Sequence, residues 1–289
     1  MLFALAGYIV GKCKLLTGTQ ARSLSVLSVY IFLPCYILKN FTKNFTAEYI
    51  STRYPLILQS LAILLVIVLM AECLARVFTK ESFLRRVFSY SMTVPNYGYM
   101  GYALAAPFLG DHMVTDMLVF CLPISLYTYT VGLSQLTKQK LNLKRLLNPT
   151  IIATVVGITL GLTQIQLPLV FTNVISQSAS CIGPTGMILL GITLSEYDPK
   201  MMLLDWRVYV VTALRLVVIP VVMFFGARAF FGETAALMAC FIYALPCGLN
   251  TVVFPKLVGE NCSVGASLAF VSNILACITI PLVMSLAGI

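Results

Sequence analysis

The sequence carries very little charge for its length. Only 10% of its 289 residues are Asp, Glu, Lys or Arg, whereas a soluble domain carries about a quarter. Apolar residues make up 60% of the chain, and the mean hydropathy is +0.95. Apolar runs long enough to span a bilayer recur from end to end, which predicts an integral membrane protein. These runs are continuous and do not alternate between apolar and polar residues, so we expect helices and not the strands of an outer-membrane barrel.

Catalytic and metal-binding motifs are also lacking. The sequence has no HExxH, GxSxG or P-loop motif and no pair of aspartates within an apolar segment. An intramembrane enzyme is therefore not predicted. The nine cysteines are scattered without CxxC spacing, which indicates small buried side chains and not a disulfide framework or a metal site. No cofactor is predicted.

The net charge of +9 comes from lysine and arginine, most of which lie in short loops between the apolar segments. In a membrane protein such loops set orientation, so we predict no nucleic-acid partner. Most of the basic residues, among them Lys80, Arg85 and Lys144, fall in loops that face the cytoplasm if both termini lie outside. We therefore predict a multi-pass protein of the plasma or inner membrane with both termini outside.

Ten apolar segments can be marked along the chain, and a membrane span needs ~20 residues. Their approximate limits are Met1–Gly11, Leu24–Phe41, Tyr54–Phe78, Val87–Leu109, Val114–Leu136, Pro149–Leu167, Val174–Leu194, Trp206–Phe230, Thr234–Val258 and Val264 to the C-terminus. The first segment is short for a span. The ten segments can be divided into two sets of five.

Glycines and prolines recur at matching positions in the two sets. The matching pairs are Gly7 and Gly157, Gly11 and Gly161, Pro34 and Pro184, and Pro95 and Pro246. Because five is odd, two consecutive sets must cross the bilayer in opposite senses. The predicted fold is an all-α membrane protein of ten transmembrane helices, built as two inverted five-helix repeats. The repeats are 1–137 and 148–289, joined by a short basic cytoplasmic linker, 138–147.

The fourth segment is interrupted by the stretch VPNYGYMGY, residues 94 to 102. Pro95 lacks an N–H and clashes with the carbonyl four residues earlier, so it should break the helix. In the ninth segment the stretch ALPCGLNTVVF places Pro246 at the matching point. Paired breaks in matching segments indicate a transporter site, and the alternative is that both prolines only kink packed helices. We interpret Pro34 and Pro184 as bends in the scaffold.

Polar residues after each break supply candidate ligands. Asn96 and Asn250 can each donate and accept hydrogen bonds where substrate and freed backbone both need partners. Tyr97 can face an aromatic or carboxylate ligand. The predicted substrate-binding residues are Pro95, Asn96, Tyr97, Pro246, Gly248, Asn250 and Thr251.

Two charged residues lie within apolar segments, Glu72 and Arg215. A charge at the middle of the bilayer costs about 2.5–3.5 kcal/mol on insertion scales, so each is a functional candidate. Glu72 is near the cytoplasmic end of the third segment, where it could couple transport to protons or extend to the interface. Arg215 is deeper. It could attract an anionic substrate, but we favour a structural role in which it bonds carbonyl groups between helices.

Several motifs resemble the auxin efflux carrier family, which includes plant PIN-FORMED carriers and bacterial malonate and malate permeases. These motifs are GYIVGK at 7–12, IFLPCYILKNF at 31–41, TVPNYGYMG at 93–101 and ALPCGLNTVVFPKLVGENCSVGASLAFVSNILACITIPLV near the C-terminus. The resemblance covers essentially the whole chain. Plant carriers have a long hydrophilic loop between the halves, and the short loop here is similar to a prokaryotic transporter.

The resemblance implies that helices four and nine are broken and cross at the substrate site. It also implies a scaffold of helices 1, 2, 6 and 7 and a mobile transport domain of helices 3–5 and 8–10. A homodimer and elevator-type alternating access are further implications. The proline-asparagine of the family's fourth helix falls on Pro95 and Asn96, and the ninth-helix proline falls on Pro246. The family varies after that second proline, so the assignment of Asn250 as a ligand is less direct.

The function predicted from these features is secondary transport of a small organic anion. The family suggests a dicarboxylate such as malonate or malate, or an auxin-like carboxylate, and coupling to H⁺ or Na⁺ stays open. The alternative is a sodium-coupled symporter of the bile-acid transporter type. The absence of Asp and Glu near Pro95 and Pro246 argues against that alternative. The repeat favours a carrier over a channel, and a receptor would leave the repeat unexplained.

Overall fold

A computed structural model describes residues 2–16, 18–138, 149–197, 204–256, 258–260 and 262–288. Within these ranges the regular secondary structure is helical throughout. Six helical stretches are long and apolar enough to cross a bilayer. They are Ser23–Asn44, Pro55–Phe78, Asp111–Thr137, Leu169–Ser195, Trp206–Phe231 and Ser263–Leu286. The all-helical, multi-pass membrane protein predicted from the sequence is therefore confirmed.

The other four predicted segments are helical but short or broken. The first, the sixth and the start of the ninth correspond to the apolar helices Leu2–Lys12, Pro149–Thr163 and Glu233–Ala244, each of 10–17 residues. The fourth is divided at Pro95. Ten full-length spans are thus not confirmed, because none of these four segments forms an unbroken helix long enough to cross a bilayer.

The helices have the following bounds in chain order. They are α1 (Leu2–Lys12), α2 (Gly18–Leu27), α3 (Leu33–Asn44), α4 (Ala47–Arg53), α5 (Pro55–Phe78), α6 (Ser82–Thr93), α7 (Tyr102–Leu109), α8 (Val114–Tyr127), α9 (Leu133–Thr137), α10 (Pro149–Thr163), α11 (Leu169–Ser180), α12 (Ile182–Ser195), α13 (Trp206–Ala213), α14 (Ile219–Phe231), α15 (Glu233–Ala244), α16 (Asn250–Lys256) and α17 (Ser263–Leu286).

By their internal contacts these helices form two compact units. The first unit contains α1–α4, α7 and α10–α12, and the second contains α5, α6, α9 and α13–α17. Helix α8 is divided between them after Val119. Of the linker predicted at 138–147, Lys138 forms an ion pair with Glu260, with Nζ and Oε1 2.9 Å apart. Residues 139–147 lie outside the described residues.

Glycines set the closest helix packing in the first unit. Helix α1 packs against α12, and α10 packs against α3. A Cβ at Gly7 would overlap the backbone oxygen of Ile188, and one at Gly161 would lie 2.6 Å from that of Phe41. Small residues allow backbones in a membrane to approach this closely. The two contacts are reciprocal, since the first predicted segment packs on the seventh and the sixth packs on the second.

Helical irregularities precede the other two matched prolines. A π-helical turn, Ser28–Phe32, leads into α3 before Pro34. The helix is interrupted at Cys181, three residues before Pro184. The proline ring displaces the carbonyl four residues earlier, which accounts for an irregularity at these places. Both positions agree with the interpretation of these prolines as bends.

Candidate functional site

Two helices of the second unit end just before the predicted prolines. Helix α6 ends at Thr93 and α15 at Ala244. The next residues, Val94 and Leu245, have extended backbones with ψ of 111° and 147°. Each is followed by a proline, and a residue before proline is disfavoured in the helical conformation. The helical path resumes as a π-helical turn at Tyr97 and as α16 at Asn250.

The two extended segments pair with each other. Pro95 and Cys247 form an isolated antiparallel bridge. The N–H of Asn96 donates to the carbonyl of Pro246 at 2.9 Å. The N–H of Cys247 donates to Ser272 Oγ at 3.0 Å. Backbone groups released by the two breaks thus find partners inside the protein, as buried groups require.

Asn96 places an unused hydrogen-bond donor at this pairing. Its side chain is buried, with 3% exposure. The amide Nδ2 has no hydrogen-bond partner among the described residues. Leaving such a donor unpaired in the interior costs about 1–3 kcal/mol. A ligand with an acceptor oxygen would recover that free energy.

The other predicted ligands differ in whether their polar groups already have partners within the protein. The buried hydroxyl of Tyr97 lies 3.0 Å from Ser125 Oγ. Thr251 is buried, and its Oγ1 donates to the carbonyl of Gly248 at 2.9 Å. Asn250 is half-buried. Asn96 and Asn250 each follow one of the two paired breaks. The hydroxyl of Thr251 is instead used in a hydrogen bond within its own helical turn.

Arg215 connects the ends of the two helices that stop at the breaks. It has 0% exposure. Its Nε donates to the carbonyl of Leu245 at 3.1 Å, and its Nη1 donates to that of Met92 at 2.7 Å. The guanidinium also lies 5.4 Å from the centre of the Tyr243 ring. A cation at helix C-termini is favourable because it offsets the negative end of each macrodipole.

A comparison with known protein families decides the class of protein. The sequence profile of a family described as "Membrane transport protein" matches residues 1–140 and, a second time, residues 133–284. The chain belongs to this family. It is the auxin efflux carrier family that the motifs resemble, so that prediction is confirmed. The two successive matches are consistent with an internal duplication. No curated protein matches the chain.

In this membrane transport protein, Glu72 is held by two arginines. Its Oε1 lies 3.3 Å from Arg76 Nε and 3.5 Å from Arg85 Nε. About a third of its side chain is exposed, at 32%. Two guanidinium groups therefore flank the carboxylate of Glu72. Proton coupling by Glu72 stays a prediction.

Two polar residues of this transporter were not singled out from the sequence. Ser272 and Asn273 lie on α17, where Ser272 accepts the N–H of Cys247. Asn273 is buried, its Nδ2 donates to the carbonyl of Ala269 at 2.7 Å, and its Oδ1 has no partner among the described residues. Adjacent polar residues within an apolar segment were the available signal. In the described part of the chain, no group of three or more His, Cys, Asp and Glu could hold a metal ion.

Proposed function

We propose that this protein is a secondary transporter of small organic anions that works by alternating access. The observation that carries the proposal is the unpaired amide donor of Asn96 beside two paired helix breaks. Irregular backbone at membrane depth is tolerated where it lines a protein-enclosed cavity, and broken helices often form transporter sites. The family, whose members are transporters, supports this class over an enzyme.

The charge of the substrate follows from the groups available to it. Asn96 offers an N–H donor and therefore favours an acceptor such as a carboxylate oxygen. Arg215 supplies a buried positive charge whose Nη2 has no partner among the described residues. Resemblance to family members suggests a dicarboxylate such as malonate or malate, or an auxin-like carboxylate. Substrate binding is proposed for Pro95, Asn96, Tyr97, Pro246, Gly248, Asn250 and Thr251.

We propose two inverted five-helix repeats, with helices four and nine crossing at the site. Helices 1, 2, 6 and 7 form the scaffold, and helices 3–5 and 8–10 form an elevator-type transport domain. For most helices, the two compact units contain the same helices as the proposed scaffold and transport domain, which supports this division. The exception is residues 98–119, which cluster with the first unit. The reciprocal packing of α1 on α12 and of α10 on α3 supports the repeat. A homodimer with its termini outside belongs to the same proposal.

Uptake into proteoliposomes tests the proposal. Labelled malonate, malate and indole-3-acetate are offered under imposed proton, sodium or voltage gradients. We expect saturable uptake of one acid by the wild type and its loss in Asn96→Ala, with the thermal unfolding transition retained. Asn40→Ala is the matched control, because the Asn40 amide already donates to Tyr36 at 2.8 Å. Equal loss in both variants, or no uptake of any acid, would contradict the proposed site and substrate class.

The second candidate is a sodium-coupled symporter of the bile-acid transporter type. One observation favours it: the buried Oδ1 of Asn273 has no partner among the described residues and could coordinate a cation. The same assay separates the candidates. Uptake that requires a sodium gradient, and that loses this requirement in Asn273→Ala, would favour the symporter.

A further inference from the structure

A cavity in the first unit lies where two membrane-spanning stretches reach the edge of the bilayer. Its volume is about 540 Å³, within the usual range of small-ligand sites. It is lined by the end of α3, by the segment between α10 and α11, and by the start of α11. Ser23–Asn44 ends here and Leu169–Ser195 begins here, so the cavity lies near one membrane surface.

The lining combines positive charge with apolar side chains. Lys39 and Lys43 are four residues apart on α3, which places both on the same face of that helix. Among the described residues, no acidic side chain lines the cavity. Neither lysine forms an ion pair among the described residues. The apolar part of the lining consists of Leu38, Ile165, Leu167 and Ile175.

Uncharged polar side chains also line the cavity. Thr42 lies on the same stretch of α3, and its buried Oγ1 has no hydrogen-bond partner among the described residues. Gln166 and Ser176 add further donors, whereas the hydroxyl of Thr172 already donates to the carbonyl of Leu169 at 2.9 Å. Lysines at the end of a membrane helix alone would indicate only that they extend to the interface. Here they share a cavity with an unused buried hydroxyl and an apolar wall.

We propose that this cavity binds the headgroup of an anionic phospholipid. Lys39 and Lys43 contact the phosphate, the hydroxyl of Thr42 donates to one of its oxygens, and the apolar wall contacts the upper part of an acyl chain. The apolar wall distinguishes a lipid from free phosphate, which has no apolar part to bury. The ligand is a structural lipid of the first unit, and the proposal is independent of the transported substrate.

Lipid-dependent stability of the purified full-length protein tests this assignment. The protein in neutral detergent is titrated with dioleoylphosphatidylglycerol, dioleoylphosphatidylcholine or inorganic phosphate, and its thermal unfolding is followed. We expect a saturable increase in melting temperature with phosphatidylglycerol alone. In Lys39→Gln/Lys43→Gln the apparent affinity should fall roughly tenfold to thirtyfold, because each lysine near a lipid phosphate is worth about 1 kcal/mol.

The control variant Lys14→Gln/Lys80→Gln removes the same charge at two exposed positions outside the cavity. It should keep the wild-type response, as should Lys39→Arg/Lys43→Arg, which keeps the charge in the cavity. Native mass spectrometry of retained lipids gives a second readout that does not depend on unfolding. An equal response to phosphatidylglycerol in the cavity and control variants would overturn the site. An equal response to inorganic phosphate would overturn the lipid.

Discussion

At the scale of single residues, Arg215 makes two buried hydrogen bonds that a substitution would remove. A fully buried guanidinium donates to two carbonyls, one at the end of α6 and one just after α15. Replacing it with methionine keeps much of the volume but leaves both carbonyls without that donor. We expect Arg215→Met to lower the free energy of unfolding by about 3 kcal/mol or more. Arg215→Lys should lower the free energy of unfolding by less, because lysine keeps the charge although it cannot donate from two separate nitrogens.

Arg228 provides the matched control for that measurement. It lies on α14, is largely exposed and pairs with Glu233, with Nε and Oε2 2.9 Å apart. Exposed ion pairs contribute about 0–1 kcal/mol, so Arg228→Met should change thermal stability little. Thermal unfolding of the three variants in the same detergent gives the comparison. If Arg215→Met is as stable as Arg228→Met, the proposed connection between the breaks is wrong.

At the scale of helices, the first unit depends on glycine at its closest contacts. A Cβ at Gly7 would meet backbone atoms of Ile188, which cannot rotate away. We therefore expect Gly7→Ala to destabilise the protein by about 1–3 kcal/mol, as overpacking does. Gly226→Ala is the control, because a Cβ there has no neighbour within 4 Å. It should be neutral or stabilising by up to about 1 kcal/mol, since alanine favours a helix. Opposite signs in thermal unfolding would confirm the contact, and equal effects would contradict it.

Sequence reasoning worked best where the cause is local. Pro95 and Pro246 break helices through their own rings, so both breaks could be predicted from the chain alone. The partners of Arg215 lie 30 and 123 residues away along the chain. No periodicity encodes such a contact, so its structural role could be favoured but its partners could not be named. Ser272 was missed for the same reason, because its partner Cys247 lies 25 residues earlier in the break between α15 and α16.

At the scale of the whole molecule, the distribution of charge predicts the orientation in the membrane. Lys80 follows α5, and Phe230 is near the end of α14, at the matching place in the second set of segments. Both are exposed. Two inverted repeats would put these matching positions on opposite sides of the membrane, whereas parallel repeats would put them on the same side. The basic loops indicate that Lys80 faces the cytoplasm.

Thiol labelling in intact cells tests both orientation and inversion. Single cysteines are introduced as Lys80→Cys, Phe230→Cys and Glu48→Cys, in a background without the cysteines that are not buried. We expect a membrane-impermeant maleimide to label the Phe230 and Glu48 positions directly, and the Lys80 position only after permeabilisation. Labelling of Lys80 and Phe230 from the same side would exclude inverted repeats. If Lys80 and Glu48 react from one side, α5 between them does not cross the bilayer. If the two positions react from opposite sides but Lys80 is the one outside, the inverted repeat stands and the predicted orientation is reversed.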